Sequence, residues 1–421
     1  MENNRNWAGN YEYRAAETFV PDNKAQIQEW IVRRERVKVL GTRHSFNAIA
    51  DTEGSHLSLR KLNRVANLDA KRNLVTVEAG IRYGELCGFL HERGYALANL
   101  ASLPHISVAG ACATGTHGSG DRNRTLSASV QALEIVQANG EILKLTRDRD
   151  ARFAGAVVGL GALGVVTELT LDIVPAFRIG QRVYENLPLA KLADHLDEIF
   201  SCAYSVSLFT DWKSSAFNQV WVKRKVEDPL PESFDADLHG AARATANVHP
   251  VPGHSAESCS EQLDVPGPWH ERLPHFRMDF VPSAGDELQS EYFVRRRDAY
   301  SALRAIDEIR ETISPLLHVS EIRTVAEDDL WLSPCCGRDS VGIHFTWRAD
   351  EEAVRRTLPI IERQLAPYEA RPHWSKLFAM SVERLEALYE KMPEFRELIL
   401  EYDPDGKFHN GFLDRAVLRR D

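Results

Sequence analysis

The sequence has no long uninterrupted apolar run, no CxxC pair and no surplus of positive charge, and each lack removes a class of function. Its two longest uncharged stretches are Gly94 to Gly120 and Phe153 to Val166. The first is broken by Asn99, Ser102, Pro104, His105 and Ser107, and the second is 14 residues, too short to span a bilayer. No membrane partner is expected. The six cysteines, Cys87, Cys112, Cys202, Cys259, Cys335 and Cys336, are scattered through 421 residues, a length that buries a core without disulfide staples. A reducing cytoplasm and no metal site are the expectation. Asp and Glu number 61 against 51 Lys and Arg, a net charge of -10, which offers no electrostatic footprint for nucleic acid. No G-x-S-x-G elbow marks a serine hydrolase. The opening Met-Glu-Asn-Asn-Arg-Asn-Trp lacks a basic region followed by an apolar run, so neither signal peptide nor lipid anchor is expected.

What is present reads as a folded chain of two large domains or three small ones, with 43% hydrophobic and 27% charged residues. Periodicity predicts strands at Val37 to Leu40, Leu57 to Leu59 and Leu74 to Glu78, and a helix from Tyr83 to about Arg93 stopped by Gly94. Leu133 to Val136 and Ile142 to Leu145 flank Asn139-Gly140, which predicts a hairpin with two positive φ angles at its turn. Val165 to Val174 alternates as a strand ended by Pro175, and a domain boundary is placed there. Beyond it, strands near Ser205 to Thr210, Val220 to Lys223, Gln289 to Val294, Val319 to Thr324 and Val341 to Arg348 go with helices near Arg297 to Thr312 and Glu351 to Leu365. A Pro, Gly and His-rich excursion runs from about Asp228 to Pro274, and a helix is expected over Glu383 to Glu401. The economical architecture is α+β, with a sheet carrying helices on one side in the second half.

Gly94 to Gly120 is rich in Gly, Ser, Thr and His, which suits backbone packed closely on a large buried ligand and makes helix improbable there. Gly159-Leu-Gly161-Ala-Leu-Gly164 matches GxGxxG, but a helix-like run precedes it and a strand follows, the reverse of a nicotinamide Rossmann turn. The glycines are still available to touch a cofactor. His270-Glu-Arg-Leu-Pro-His275 resembles a zinc protease motif, yet its histidines are five apart and Pro274 breaks the helix that would align them.

The informative element is Val39-Leu40-Gly41-Thr42-Arg43-His44-Ser45-Phe46-Asn47, a strand entering a Gly-led turn whose amides suit a pyrophosphate. Here the sequence resembles the vanillyl-alcohol-oxidase-type, or PCMH-type, FAD-linked oxidases. The resemblance implies a two-domain fold, an FAD-binding domain plus an antiparallel-sheet cap with helices. It also implies FAD attached covalently through His44. Arg43 departs from the pattern, since many relatives carry Gly before the histidine. A second ligand loop, Ala101 to Gly110 continuing through Thr114-Gly115-Thr116-His117-Gly118-Ser119, resembles that family closely. Asn6 to Asn10, Tyr204 to Trp212 and Arg371 to Trp374 narrow the resemblance to its alditol-oxidase branch. By that resemblance the FAD contacts include Gly41, Thr42, Arg43, Ser45 and Phe46 in the first loop, and Ser102, Ser107, Gly110, Thr114, Gly115, Thr116 and His117 in the second. Gly164, Val166 and His373 complete the set.

Residue alternation adds a substrate face. Glu321 and Arg323 share one side of their strand while Ile322 points to the other, and His344 and Thr346 share a side opposite Ile343, Phe345 and Trp347. Such donors and acceptors suit the hydroxyls of a neutral polyol. Resemblance implies that Ser102, Glu321, Arg323, Thr346 and Lys376 bind the polyol or assist its oxidation, with Gln289 and His344 as further candidates. The implied reaction converts the terminal alcohol of xylitol or sorbitol to an aldehyde, with oxygen reduced to hydrogen peroxide. Lys376 and Arg323 stabilise the developing alkoxide, Glu321 anchors neighbouring hydroxyls, and Lys376, His344 and water are all candidates for the proton acceptor. Oxidation of a sugar-1,4-lactone is the enzymatic alternative, and a flavin- or carbohydrate-binding protein without turnover is the alternative of another class. The expected layout is an FAD domain over 1-175, a cap over 176-370 and a segment, 371-421, that returns to the FAD domain, in a monomer.

Overall fold

The computed structural model describes residues 4–228, 230, 234, 237–279 and 287–420. Among these, short β-branched and aliphatic segments assemble into four sheets. A parallel three-stranded sheet is ordered Glu17–Phe19, Ser55–Ser58, Val37–Leu40. An antiparallel five-stranded sheet is ordered Val65–Asp69, Leu74–Glu78, Val165–Asp172, Val130–Val136, Ile142–Thr146. Val174–Pro175 and Tyr95–Ala96 make a two-stranded pair, so the long strand stops at Asp172 and Pro175 closes a separate short strand after it. The fourth sheet has ten strands, and at its centre Ser205–Thr210, Leu317–Val325, Ser340–Arg348 and Glu287–Arg295 lie side by side, all antiparallel.

Two large apolar cores, with two small clusters beside them among the described residues, separate these layers. One draws on residues from Ile27 to Ile179 and again from Trp374 to Val417, so the C-terminal segment packs back on the first half of the chain. The other holds the inner side of the ten-stranded sheet, where Ile322, Ile343, Phe345 and Trp347 meet Leu303 and Ile306 of the helix Ala299–Glu308 and Val354, Leu358 and Ile361 of Glu351–Leu365. These helices cover that side at the centre of the sheet, and the polar residues of the same strands therefore face the opposite way.

Three local expectations fail for physical reasons. The hairpin forms, but of Asn139-Gly140 only Gly140 has a positive φ, +83°; Gly140 N–H donates to the Gln137 carbonyl at 3.0 Å in a longer loop that needs one left-handed residue instead of two. Helix does occur in the uncharged stretch, at Val108–Ala113, where Ala109, Ala111 and Ala113 favour it and offset the cost of Gly110. The tail forms two helices, Val382–Leu388 and Met392–Tyr402, with Pro393 at the start of the second, where its missing N–H costs no helical bond. The excursion after Asp228 includes positions outside the described residues. Its described part adds the short strands Asp237–Leu238, Ala241–Arg243 and Gly267–Pro268 to the ten-stranded sheet, between them lines a cavity with residues from 249–258, and returns through Trp269–Arg272.

Candidate active site

A cavity of about 800 Å³ lies between the first loop region and the polar side of the ten-stranded sheet. Gly41 to Phe46, Ser102, Ser107, Gly110, Thr114, Thr116, His117, Gly164, Val166 and His373 all line it, as do Gln289, Glu321, Arg323, His344, Thr346 and Lys376. Gly159 and Gly161 line it too. Gly115 does not: it has φ +69° and packs on Pro334, whose Cδ would lie 2.9 Å from an added Cβ.

The strand Val37–Leu40 delivers the chain to the Gly41 turn. Gly41 and Gly110 face each other across Ser107, and a Cβ on either would come 2.8 or 2.9 Å from Ser107 Oγ, so glycine is what leaves the cradle open. Arg43 adopts φ +64°, the left-handed region glycine favours, so the turn survives the bulkier residue at a steric cost of about 1–2 kcal/mol. His44 stacks on Trp7 with ring centroids 5.3 Å apart, and its Nδ1 is buried with no hydrogen-bond partner among the described residues. Burial first, then His105, draws the His44 pKa to about 4 against a backbone contact with Thr42, leaving a neutral ring with a lone pair to offer. Asn47 donates to the carbonyls of Trp374 at 2.9 Å and Lys376 at 2.8 Å, and Phe46 N–H donates to Ser375 at 2.7 Å, which ties this loop to the segment carrying Lys376. Sequence reasoning missed Lys38, a buried lysine on the incoming strand; its Nζ donates to Gly161 at 3.1 Å and burial pulls its pKa to about 7.

The far end is built by strand register. Phe209, Glu321, His344 and Glu291 stand in one row across four strands. Glu291, not anticipated from the sequence, is the hub. Lys376 Nζ lies 2.8 Å from its Oε2, while His117 Nε2 and Arg323 Nη2 approach its Oε1 at 3.0 and 3.1 Å. Burial alone would raise its pKa, but Lys376, His117 and Arg323 together hold it well below the carboxylate range. The signal that could have found it is simple: it is the next residue on the same strand face as Gln289. Gly342 opposite Arg323 leaves room for this cluster, since a Cβ there would be 3.2 Å from Glu291 Oε1.

Beside the hub His344 is neutral. Burial, then Lys376, brings His344 to about 4; Lys376 Nζ lies 2.7 Å from His344 Nδ1, and His344 Nε2 faces Thr346 Oγ1 at 3.0 Å. An ammonium donates to Nδ1, so the ring proton sits on Nε2 toward Thr346. Burial lowers the Lys376 pKa and Glu291 opposes that fall. Arg323 Nη1 reaches Ser102 Oγ at 3.3 Å, joining the sheet to the second loop. Gln289 also lines the cavity and donates to Glu287 at 2.6 Å. Within the cluster around the hub, Glu291 and Glu321 are matched in charge by Arg323 and Lys376.

The roof was not legible in the sequence either. His249, Val251, His275 and Phe276 of the excursion line the cavity, and His275 Nε2 lies 2.6 Å from Glu321 Oε1. Of the motif His270 to His275, His270 instead packs on His91, 4.6 Å between centroids. Among the described residues one metal-capable trio, His195, Glu198 and His239, stands apart, and none of the three lines the cavity.

An open glycine cradle, an orphaned buried imidazole nitrogen and a long cavity ending in a charge-balanced polar cluster fit a dinucleotide with a small neutral substrate at its reactive end. Comparisons agree. Residues 16–146 match the FAD binding domain family and residues 286–416 the D-arabinono-1,4-lactone oxidase family. The chain is 48% identical over 411 residues to an alditol oxidase from a Streptomyces species, covering 97% of each. It is 29% identical to the L-gulono-1,4-lactone dehydrogenase of Mycobacterium tuberculosis, covering 98% of each. With the L-gulonolactone oxidase of Bos taurus the identity is 26%, over 98% of this chain and 97% of that protein. The crystal structure of cholesterol oxidase from Brevibacterium sterolicum superposes with a TM-score of 0.78 at 15% identity, over 98% of this chain and 96% of that one, a likeness of fold. The chain therefore belongs to the vanillyl-alcohol-oxidase-type family of FAD-dependent oxidoreductases, with an FAD-binding domain followed by a cap.

Proposed function

We propose that the protein oxidises the terminal primary alcohol of alditols such as xylitol and sorbitol to the aldose, with oxygen as electron acceptor. The observation that carries this reading is the charge-balanced cluster of Glu291, Glu321, Arg323 and Lys376 at the cavity end, in a chain 48% identical to an alditol oxidase. Bound FAD supplies the hydride acceptor and passes the electrons to oxygen, which leaves as hydrogen peroxide. Gly41, Gly110 and the amides of their loops hold its phosphates, and His44 is the point of covalent attachment, for which a neutral ring with a free Nδ1 is the required state. Acid-denatured protein should stay yellow, with the flavin mass on a peptide containing His44; flavin that washes entirely into the supernatant rejects the linkage.

The protein's own work is to orient the polyol and ease loss of its hydroxyl proton. Lys376, held as a cation by Glu291 at 2.8 Å, meets the reacting oxygen and stabilises the charge that develops on it. Arg323 and Glu321 take the neighbouring hydroxyls as donor and acceptor, and Thr346, Gln289 and Ser102 complete the contacts. We place the cofactor half at residues 1–175 with 371–421 and the cap at 176–370. Peroxide release measured across xylitol, sorbitol, aldoses and sugar-1,4-lactones tests the substrate. The match of residues 286–416 to a lactone oxidase family supports a second reading, and turnover of L-gulono-1,4-lactone in preference to both alditols would select it.

A further inference from the structure

Lys223 is a buried lysine that the reading above does not use; burial pulls its pKa down to about 7 against the opposing pull of Glu321, and the three acceptors around its Nζ are what call for the protonated amine. It sits in the strand Ala216–Lys225, with no carboxylate in hydrogen-bonding contact among the described residues. Its Nζ faces three acceptors: the carbonyls of Leu273 at 2.6 Å and Pro274 at 3.0 Å, and His275 Nδ1 at 3.2 Å.

The protons along this chain of contacts can be assigned from its other end. Arg323 and His275 outweigh burial and keep Glu321 ionised, so its Oε1 can only accept. His275, drawn to about 4 by burial, carries one proton, and the 2.6 Å contact to Glu321 requires that proton on Nε2. His275 Nδ1 is then a lone pair, and Lys223 donates to it. The two carbonyls take the remaining protons of Lys223. The same segment is pinned from the other side of the cavity, where the backbone N–H groups of His275 and Phe276 donate to the Ser102 carbonyl at 3.2 and 3.3 Å. Glu321 Oε2 has no hydrogen-bond partner among the described residues, and Glu321 lines the cavity.

We propose that Lys223 and His275 form a positioning relay that holds residues 273–276 over the cavity and orients the Glu321 carboxylate so that Oε2 is presented to a polyol hydroxyl. This rests on the polyol reading. Neither residue takes part in proton loss from the reacting carbon's hydroxyl; both act through Glu321. The motif His270 to His275 thus has a use unrelated to metal: Pro274, which rules out a zinc helix, supplies one of the carbonyls that receive Lys223.

The test uses the flavin-loaded full chain. Rapid-reaction flavin reduction by xylitol separates Kd from the limiting rate for Lys223→Met, His275→Leu and His275→Gln. Lys223→Met and His275→Leu should each weaken xylitol binding by roughly tenfold or more, the size of a lost charge-assisted contact, with a smaller change in limiting rate. His275→Gln, which keeps a donor toward Glu321, should restore most of the affinity. The double variant Lys223→Met/His275→Leu should be no weaker than the worse single. Independently, nitrogen-15 shifts of the His275 ring should report one neutral tautomer protonated on Nε2 in the wild type and a mixture in Lys223→Met. A wild-type proton on Nδ1, additive losses, or Lys223→Met binding xylitol within about twofold of wild type overturns the relay. A wild-type flavin that no alditol reduces rejects the substrate reading instead, and the tautomer still decides the relay.

Discussion

Glu291 illustrates how much a single buried charge decides here. It is fully enclosed and faces Lys376, Arg323 and His117, so replacing it by an isostere without charge takes the 2.8 Å counter-ion from Lys376 and leaves Arg323 with Glu321 alone. Breaking such a buried pair from one side typically costs about 3–5 kcal/mol. Glu291→Gln should therefore melt well below the wild type while still taking up flavin. The pH dependence follows from the sign of the shift. A carboxylate whose folded pKa is depressed contributes stability that is fully present above its unfolded pKa of about 4.3 and is lost as pH falls toward the folded value. Urea unfolding midpoints followed downward from pH 6 should fall more steeply in the wild type than in Glu291→Gln; parallel curves would show that Glu291 does not carry the charge assigned to it. Lys376→Met separates chemistry from packing at the same place. It keeps the chain length and removes the cation, so flavin reduction at saturating xylitol should slow on the order of 100-fold, about 3 kcal/mol of transition-state stabilisation, with the flavin spectrum unchanged. An unaltered limiting rate would take Lys376 out of the reaction.

Strands, more than loops, made this site readable. A period of two assigns faces from sequence alone, and Glu321 with Arg323 and His344 with Thr346 do face the cavity while Ile322, Ile343 and Phe345 enter the core. Period cannot say which same-face residues meet across strands distant in sequence, so Glu291, two residues beyond Gln289, was passed over although register puts it beside His344. His275 lay further out of reach, because a segment broken by proline has no period, and its place depends on contacts with Lys223 and Ser102 from other parts of the chain. Turn conformation was legible in location but not in detail, as the Gly140 loop shows. Because Glu321 and Arg323 are neighbours on one strand and Arg323 Nε lies 3.4 Å from Glu321 Oε1, their substitutions should interact. Glu321→Gln and Arg323→Ala are each expected to weaken polyol binding, and a double-mutant cycle on Kd from flavin reduction should show a coupling of about 0.5–3 kcal/mol. Strict additivity, or wild-type affinity in both single variants, would dissociate the pair from the substrate.

At the scale of the whole molecule the cavity belongs to both cores. The Gly41 loop and the Ser102 to His117 segment bound it on one side, and the strands carrying Glu291, Glu321 and His344 close the other. FAD held there would contact residues from both halves of the chain, which would link cofactor binding to folding: a ligand that binds the folded state alone stabilises it by RT ln(1 + [L]/Kd). Covalent attachment changes the form of that linkage, because a tethered cofactor no longer depends on the free concentration outside. His44→Ala removes the nucleophile but leaves the glycine cradle, the Asn47 ties to residues 374 and 376 and the polar far end in place. The variant is expected to take up FAD reversibly, with stability rising by about 1.4 kcal/mol for each tenfold increase in free FAD above Kd. The wild type should unfold at a temperature indifferent to added FAD. Thermal unfolding of both proteins across a free FAD series checks this directly: if the wild-type midpoint climbs in parallel with that of His44→Ala, its flavin is exchangeable and the linkage through His44 is wrong.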